Sequence, residues 1–250
     1  MSRREQAAGQ KKAGGWGEAL RTLVWAGVIA LGVRTVAYEP FNIPSGSMIP
    51  SLLIGDYLFV SKFAYGYSRH SMFGLPLFSG RIFGSAPERG DVVVFNQPVE
   101  NKTFIKRIIG LPGDRIQVRD GLLHINGAAV KRERVGDYRA VDYHVGRTVV
   151  APMYVETLPN GVRHTIIEVS GDNGLRDNTP EYLVPPDSYF AMGDNRDDSA
   201  DSRDGWVVPA ENLIGKAQFL FFSTDGRARL WEFWMWPAAT RWSRLLDSVD

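Results

Sequence analysis

Residues 42 to 52 read Asn42-Ile43-Pro44-Ser45-Gly46-Ser47-Met48-Ile49-Pro50-Ser51-Leu52. Two prolines bracket Ser45, Gly46 and Ser47 and fix the backbone on either side. Gly46 is expected to supply a φ that other residues avoid. A rigid turn of this kind can present a serine hydroxyl and aim backbone N–H groups at one point, which acyl transfer requires. An ordinary surface turn has the same composition. The chain on either side decides between these readings. The residues before Asn42 read as a membrane anchor, and those after Leu52 read as a β-rich domain.

Three further motifs lie downstream in the chain. They are Arg89-Gly90-Asp91-Val92-Val93-Val94-Phe95, then residues 104 to 114 (FIKRIIGLPGD), then residues 193 to 203 (GDNRDDSADSR). Together with residues 44 to 52, and in this order after an N-terminal apolar segment, they resemble the four boxes of bacterial type I signal peptidases. The resemblance covers roughly residues 20 to 115 and 185 to 222.

Working outward toward the N-terminus, residues 1 to 18 are polar and carry Arg3, Arg4, Lys11 and Lys12. They read as a cytoplasmic tail. Residues 19 to 38 are the candidate membrane helix. Its charge-free centre, residues 22 to 33, has 12 residues, short against the ~20 that span a bilayer core. Arg21 and Arg34 near its ends can snorkel and lengthen the span. The basic tail places the N-terminus inside and the remainder outside. Ser47 lies nine positions after Tyr38, so it is within about 30 Å of the bilayer surface. A nucleophile there reaches only bonds close to the membrane.

Toward the C-terminus the expected class is mostly β: an antiparallel β-sheet catalytic domain with an inserted second β lobe. The domain takes residues 39 to 119 and 186 to 225, and the lobe residues 120 to 185. Residues 56 to 63, 91 to 95, 103 to 109, 189 to 192 and 213 to 222 read as strands. In residues 103 to 109, alternation puts Phe104, Lys106 and Ile108 on one face and Ile105, Arg107 and Ile109 on the other. Asp120-Gly121 and Asn126-Gly127 are hairpin turns. Residues 64 to 88 are irregular and carry an apolar stretch at 71 to 83. Residues 226 to 250 form a Trp/Arg-rich segment in which Pro237 argues against one continuous helix.

Composition removes several chemistries. There are no cysteines, hence no disulfides, thiol catalysis or cysteine metal sites. The four histidines are scattered without metal-ligand spacing. The net charge of +1 gives no field for nucleic acid. The acidic loop at 193 to 204 offers oxygen ligands, but its spacing does not match an EF-hand. No metal and no cofactor are expected.

The base that a serine needs is then a lysine or a carboxylate. Lys106 is the candidate, because burial beside Phe104 and Ile108 would lower its pKa. The resemblance implies the roles. Ser47 is the nucleophile and Lys106 the general base. Ser45 serves the oxyanion, and Ser199 orients the Lys106 amine. Asp201 with Arg203, and Asp194 with Arg107, are supporting ion pairs. Asp198 stands where the family most often has Asn, and a carboxylate there would raise the Lys106 pKa if it points toward the amine.

The resemblance also implies cleavage after small residues of the Ala-x-Ala type, in a groove lined by Phe41, Ile43, Pro44, Met48, Leu52, Phe104 and Ile105. The expected protein is a single-pass enzyme of the bacterial inner membrane, monomeric, with signal peptides and the lipid bilayer as partners. The alternatives are a repressor-type self-cleaving Ser/Lys protease and a non-catalytic tethered β-domain that binds exported peptides.

Overall fold

The computed structural model describes residues 16–70, 80–142, 147–227 and 232–249. It opens with α1 (Trp16–Val36), followed by β1 (Tyr38–Asn42), β2 (Asp56–Ser61), β3 (Tyr67–Ser68) and β4 (Arg81–Ile82). Next come β5 (Val92–Asn96), β6 (Thr103–Gly110), β7 (Arg115–Arg119), β8 (Leu122–Ile125) and β9 (Ala128–Ala129). The long strands β10 (Lys131–Asp142) and β11 (Arg147–Thr157) precede β12 (Arg163–Ile167) and β13 (Tyr182–Leu183). The chain closes with β14 (Ser188–Met192), β15 (Val208–Pro209), β16 (Leu213–Ser223) and the single-turn helix α2 (Trp236–Ala239).

The protein is mostly β and its paired strands are antiparallel, as the sequence predicts. One sheet of seven strands runs β1-β2-β16-β5-β6-β14-β15. A second runs β13-β7-β8-β9, and a third is β10-β11-β12. β7 therefore pairs outside the seven-stranded sheet, although the sequence groups it with the catalytic domain.

Local chemistry explains the register. The run of Val92 to Phe95 is apolar at every position because β5 is buried on both faces between β16 and β6. Asp120 and Gly121 have φ of 47° and 71°, and Asn126 and Gly127 have 55° and 81°. These are the paired positive φ values of tight hairpin turns, and they set the β7–β8 and β8–β9 ladders.

The helix begins earlier than the sequence suggests and ends before Tyr38. Tyr38 instead pairs with Ser61 in the β1–β2 ladder. At 21 residues the helix is about 31 Å long, enough for a hydrocarbon core of about 30 Å. None of its residues is buried. At the other end, α2 is confined to one turn with Pro237 inside it, in keeping with the expected break. Phe83, Phe233, Trp234 and Trp242 are exposed. Most of the apolar 71–83 stretch, and Trp231, lie outside the described residues.

Among the described residues the core forms three apolar clusters, and β6 contributes to all of them. Ile105 packs on the cluster of Met48, Leu52, Leu58 and Val94. Ile109 belongs with Ile116, Leu123 and Phe190. Phe104 and Ile108 join Val93, Phe95 and Leu213. The strand that carries Lys106 and Arg107 is thus held by all three clusters.

Candidate active site

Lys106 and Ser47 meet above this core. The Lys106 Nζ lies 2.7 Å from Ser47 Oγ and 3.0 Å from its neighbour's carbonyl, Ile105 O. β6 holds the lysine through Val93↔Lys106 pairing on one side. Ser47 sits in a turn closed by Ile49 N–H to Gly46 O and Leu52 N–H to Met48 O. Both side chains are buried, at 4% and 8% exposure. Burial dominates the lysine: it lowers the pKa to about 8, against the opposing pull of the Asp201 and Asp194 carboxylates. At pH 7 about one amine in ten is then neutral, against fewer than about one in a thousand for a free lysine. The Phe104 ring centroid is 5.2 Å from the amine.

Gly46 does not play the part expected of it. Its φ lies outside the left-handed region, and an added Cβ would meet Ile49 Cδ1 at 3.1 Å. The constraint is crowding within the turn rather than an unusual backbone angle.

The 193–203 loop wraps the turn from below. Asn195 donates from its backbone N–H to Ser47 O at 3.1 Å and from its side chain to Gly46 O at 3.1 Å. Asn195 lies within the 193–203 motif, but its bond to Gly46 crosses 149 residues of chain and leaves no local pattern. Gly193 was missed as well. A Cβ there would lie 2.2 Å from Ser199 Oγ and 2.4 Å from Ser47 O, so only glycine lets the loop approach the nucleophile turn.

The expected ion pairs are both present. Arg107 clasps Asp194 through Nε at 2.9 Å and Nη2 at 2.8 Å, and Ser51 Oγ donates to the same carboxylate at 2.5 Å. Arg203 holds Asp201 through two contacts of 2.9 Å. Burial raises the pKa of each carboxyl, but its arginine outweighs that and keeps it below the usual range. Asp201 also accepts from the Gly193 N–H at 3.1 Å.

The predicted hydrogen bond from Ser199 to the Lys106 amine is not formed. Ser199 is buried and its Oγ has no hydrogen-bond partner of good geometry. It is packed against the space over Gly193 and helps keep the Asp201 carboxyl ionised. Asp198 is exposed, and the carboxylates that act on Lys106 are Asp201 and Asp194.

An open groove of about 420 Å³ leads to the pair. Phe41, Ile43, Pro44, Phe104 and Ile105 line it as expected, together with Ser45. Met48 and Leu52 do not. Both are fully buried in the core beneath the groove, because the turn directs these apolar side chains inward. Val94, Thr103, Asp198 and Ala200 take part in the lining instead.

The family model described as "Signal peptidase, peptidase S26" matches residues 16–222. The chain is 44% identical over 206 residues to a signal peptidase I of Rickettsia typhi, covering 78% of this chain and 76% of that one. It is 42% identical over 219 residues to a signal peptidase I of Rickettsia massiliae, covering 84% and 79%. A crystal structure of a signal peptidase I from Enterococcus faecalis is 25% identical, covers 53% of this chain and 97% of its own, and superposes with a TM-score of 0.32. With a family match across most of its length and relatives above 40% identity, the chain belongs to the peptidase S26 family of signal peptidases.

Proposed function

We propose that this signal-peptide-cleaving peptidase is a membrane-anchored Ser/Lys endopeptidase that cuts after small residues of the Ala-x-Ala type. The 2.7 Å contact between Lys106 and Ser47 carries this reading. With a neutral amine, the Ser47 hydroxyl donates to Lys106 and attacks the scissile carbonyl as its proton leaves. The resulting ammonium then delivers that proton to the departing amine. The Ser47 backbone N–H and the Ser45 hydroxyl stabilise the oxyanion. The Asp194–Arg107 and Asp201–Arg203 pairs keep the base and the loop in place.

The substrate binds as an added strand. β14 pairs with β6 only from Arg107 onward, as Met192↔Arg107 and Ala191↔Ile108. Residues 103 to 106 pair with β5 on one side, and the other side of this segment faces the groove. β1 is an edge strand and supplies the opposite wall. Phe41, Ile43, Phe104 and Ile105 leave shallow pockets that take a methyl group and exclude bulk.

The helix Trp16–Val36 is apolar and unburied, with mean hydropathy 1.4, which supports a single-pass anchor in the bacterial inner membrane. The basic tail then lies inside and the catalytic domain on the outer face. We place the enzyme there as a monomer whose partners are signal peptides and the bilayer.

The test is cleavage of a preprotein with an Ala-x-Ala site by the full-length protein in detergent, beside Ser47→Ala and Lys106→Ala. Cleavage by the wild type alone supports the reading. Equal cleavage by all three proteins rejects it.

A further inference from the structure

Away from the groove, among the described residues, Glu168, Asp177 and Asp197 bring one carboxylate oxygen each to within 4.8 Å of one another. That is the greatest separation that two ligands ~2.4 Å from a shared ion can have, the ligand distance of calcium. The three come from separate segments. Glu168 comes just after β12, Asp177 lies in the 171–179 segment, and Asp197 belongs to the loop that carries Ser199 and Asp201. The linear spacing of the acidic loop therefore could not reveal the group.

The second observation concerns Glu168. It is 1% exposed, and its Oε2 has no hydrogen-bond partner. Among the described residues its salt-bridge contact is with Arg132, whose Nη1 is 3.7 Å from the other oxygen and 2.9 Å from Asp172 Oδ1. Arg196, the other nearby cation, is committed to Glu156 through two bonds. An unpartnered buried carboxylate oxygen costs free energy unless a proton or a cation satisfies it.

The surroundings hold the other two carboxylates in place. Asp197 Oδ2 accepts from the Ser170 N–H at 2.6 Å, and Asp177 Oδ2 accepts from the Gly174 N–H. A Cβ on Gly174 would fall 2.1 Å from Asp197 Oδ1 and 3.2 Å from Asp177 Oδ2. Gly174 has an ordinary φ of −70°, so its place is set by the room these oxygens require. Burial, with Asp197 and Asp177 adding repulsion, pushes the Glu168 carboxyl up to about 8. Burial also raises Asp177.

The geometry points to a divalent-cation site of calcium size formed by Glu168, Asp177 and Asp197, which ties the loop bearing Ser199 and Asp201 to the segment around Asp177. Two positive charges would neutralise most of the clustered negative charge, and backbone carbonyls or water would complete the shell. Bound cation stabilises the folded chain by mass action. This inference does not depend on the Ser/Lys mechanism.

The test uses the full-length protein in detergent, stripped with a chelator and titrated with CaCl2 by calorimetry and thermal unfolding. One Ca²⁺ per chain is expected, with a rise in Tm. Asp177→Asn, and separately the near-isosteric Glu168→Gln, should each weaken binding by more than about tenfold. Circular dichroism identifies which variants fold, and either folded variant decides. The proposal is overturned if the wild type shows no saturable binding up to about 10 mM. It is equally overturned if a folded variant binds Ca²⁺ as the wild type does.

Discussion

Lys106 Nζ lies 2.7 Å from Ser47 Oγ, a contact between residues 59 apart in the chain. The amine is in a site whose burial lowers its pKa to about 8, despite two nearby carboxylates. Under the proposed mechanism the neutral form is the active one, so kcat/KM should rise with pH and level off above a limb near pH 8. A free lysine would place that limb near 10.5. The measurement is a pH–rate profile on a peptide with an Ala-x-Ala site. A limb above about 10 would remove Lys106 as the base.

The same lysine weakens the fold at neutral pH. Its folded pKa, about 8, lies below the unfolded value, so between these values the unfolded chain binds more protons and stability rises with pH. Below that window the full penalty applies, on the order of 3 kcal/mol. Lys106→Met should therefore abolish cleavage while raising Tm at pH 7, and the gain should fade as pH passes 10. Thermal unfolding at pH 7 and pH 10 checks this, and a variant less stable at both would contradict it.

Much of this arrangement was legible in the chain because it depends on local chemistry. The Asp-Gly and Asn-Gly turns adopt their paired positive φ values, and the four apolar residues from Val92 to Phe95 form a strand buried on both faces. Alternation correctly separated Phe104 and Ile108 from Ile105. The groove was less legible. Met48 and Leu52 carry the right chemistry for its wall, but the turn sends them into the core. Asn195 and Gly193 work through contacts with the backbone of a segment almost 150 residues earlier, and no local pattern encodes such distant closeness. For Asp198 the sequence left open which way its carboxylate points. Adjacency to Ser199 in sequence does not aim its carboxylate at Lys106, and Asp201 and Asp194 act there instead.

Asp194 gives a prediction with two parts. Its carboxylate is the ionic partner of Arg107, and both side chains are almost wholly buried. Asp194→Asn removes the carboxylate charge paired with the buried guanidinium, which still donates to Gly90 O at 2.8 Å, at a cost of about 3–5 kcal/mol. The substitution also removes one of the two charges that raise the Lys106 pKa. In whatever fraction folds, the rising limb of the pH–rate profile should move below the wild-type position. A limb displaced upward would mean that Asp194 does not act on the lysine electrostatically.

Gly193 separates a packing defect from a catalytic one. An alanine Cβ there would sit 2.4 Å from the Ser47 carbonyl oxygen and 2.2 Å from Ser199 Oγ. The hydroxyl can rotate away, but the carbonyl moves only with the Ser47 backbone. Such overpacking costs about 1–3 kcal/mol. A shift of about 1 Å in a nucleophile lowers turnover by roughly 10²-fold. Gly113→Ala is the control: nothing lies within 4 Å of that Cβ, but φ is +87°, so its cost is backbone strain of about 1–2 kcal/mol remote from the serine. Both variants should lower Tm, and only Gly193→Ala should lose most of kcat with a smaller change in KM. If Gly113→Ala lost activity to the same extent, the defect would be general instability. If Gly193→Ala kept full kcat, the loop would have room to withdraw and would not position Ser47.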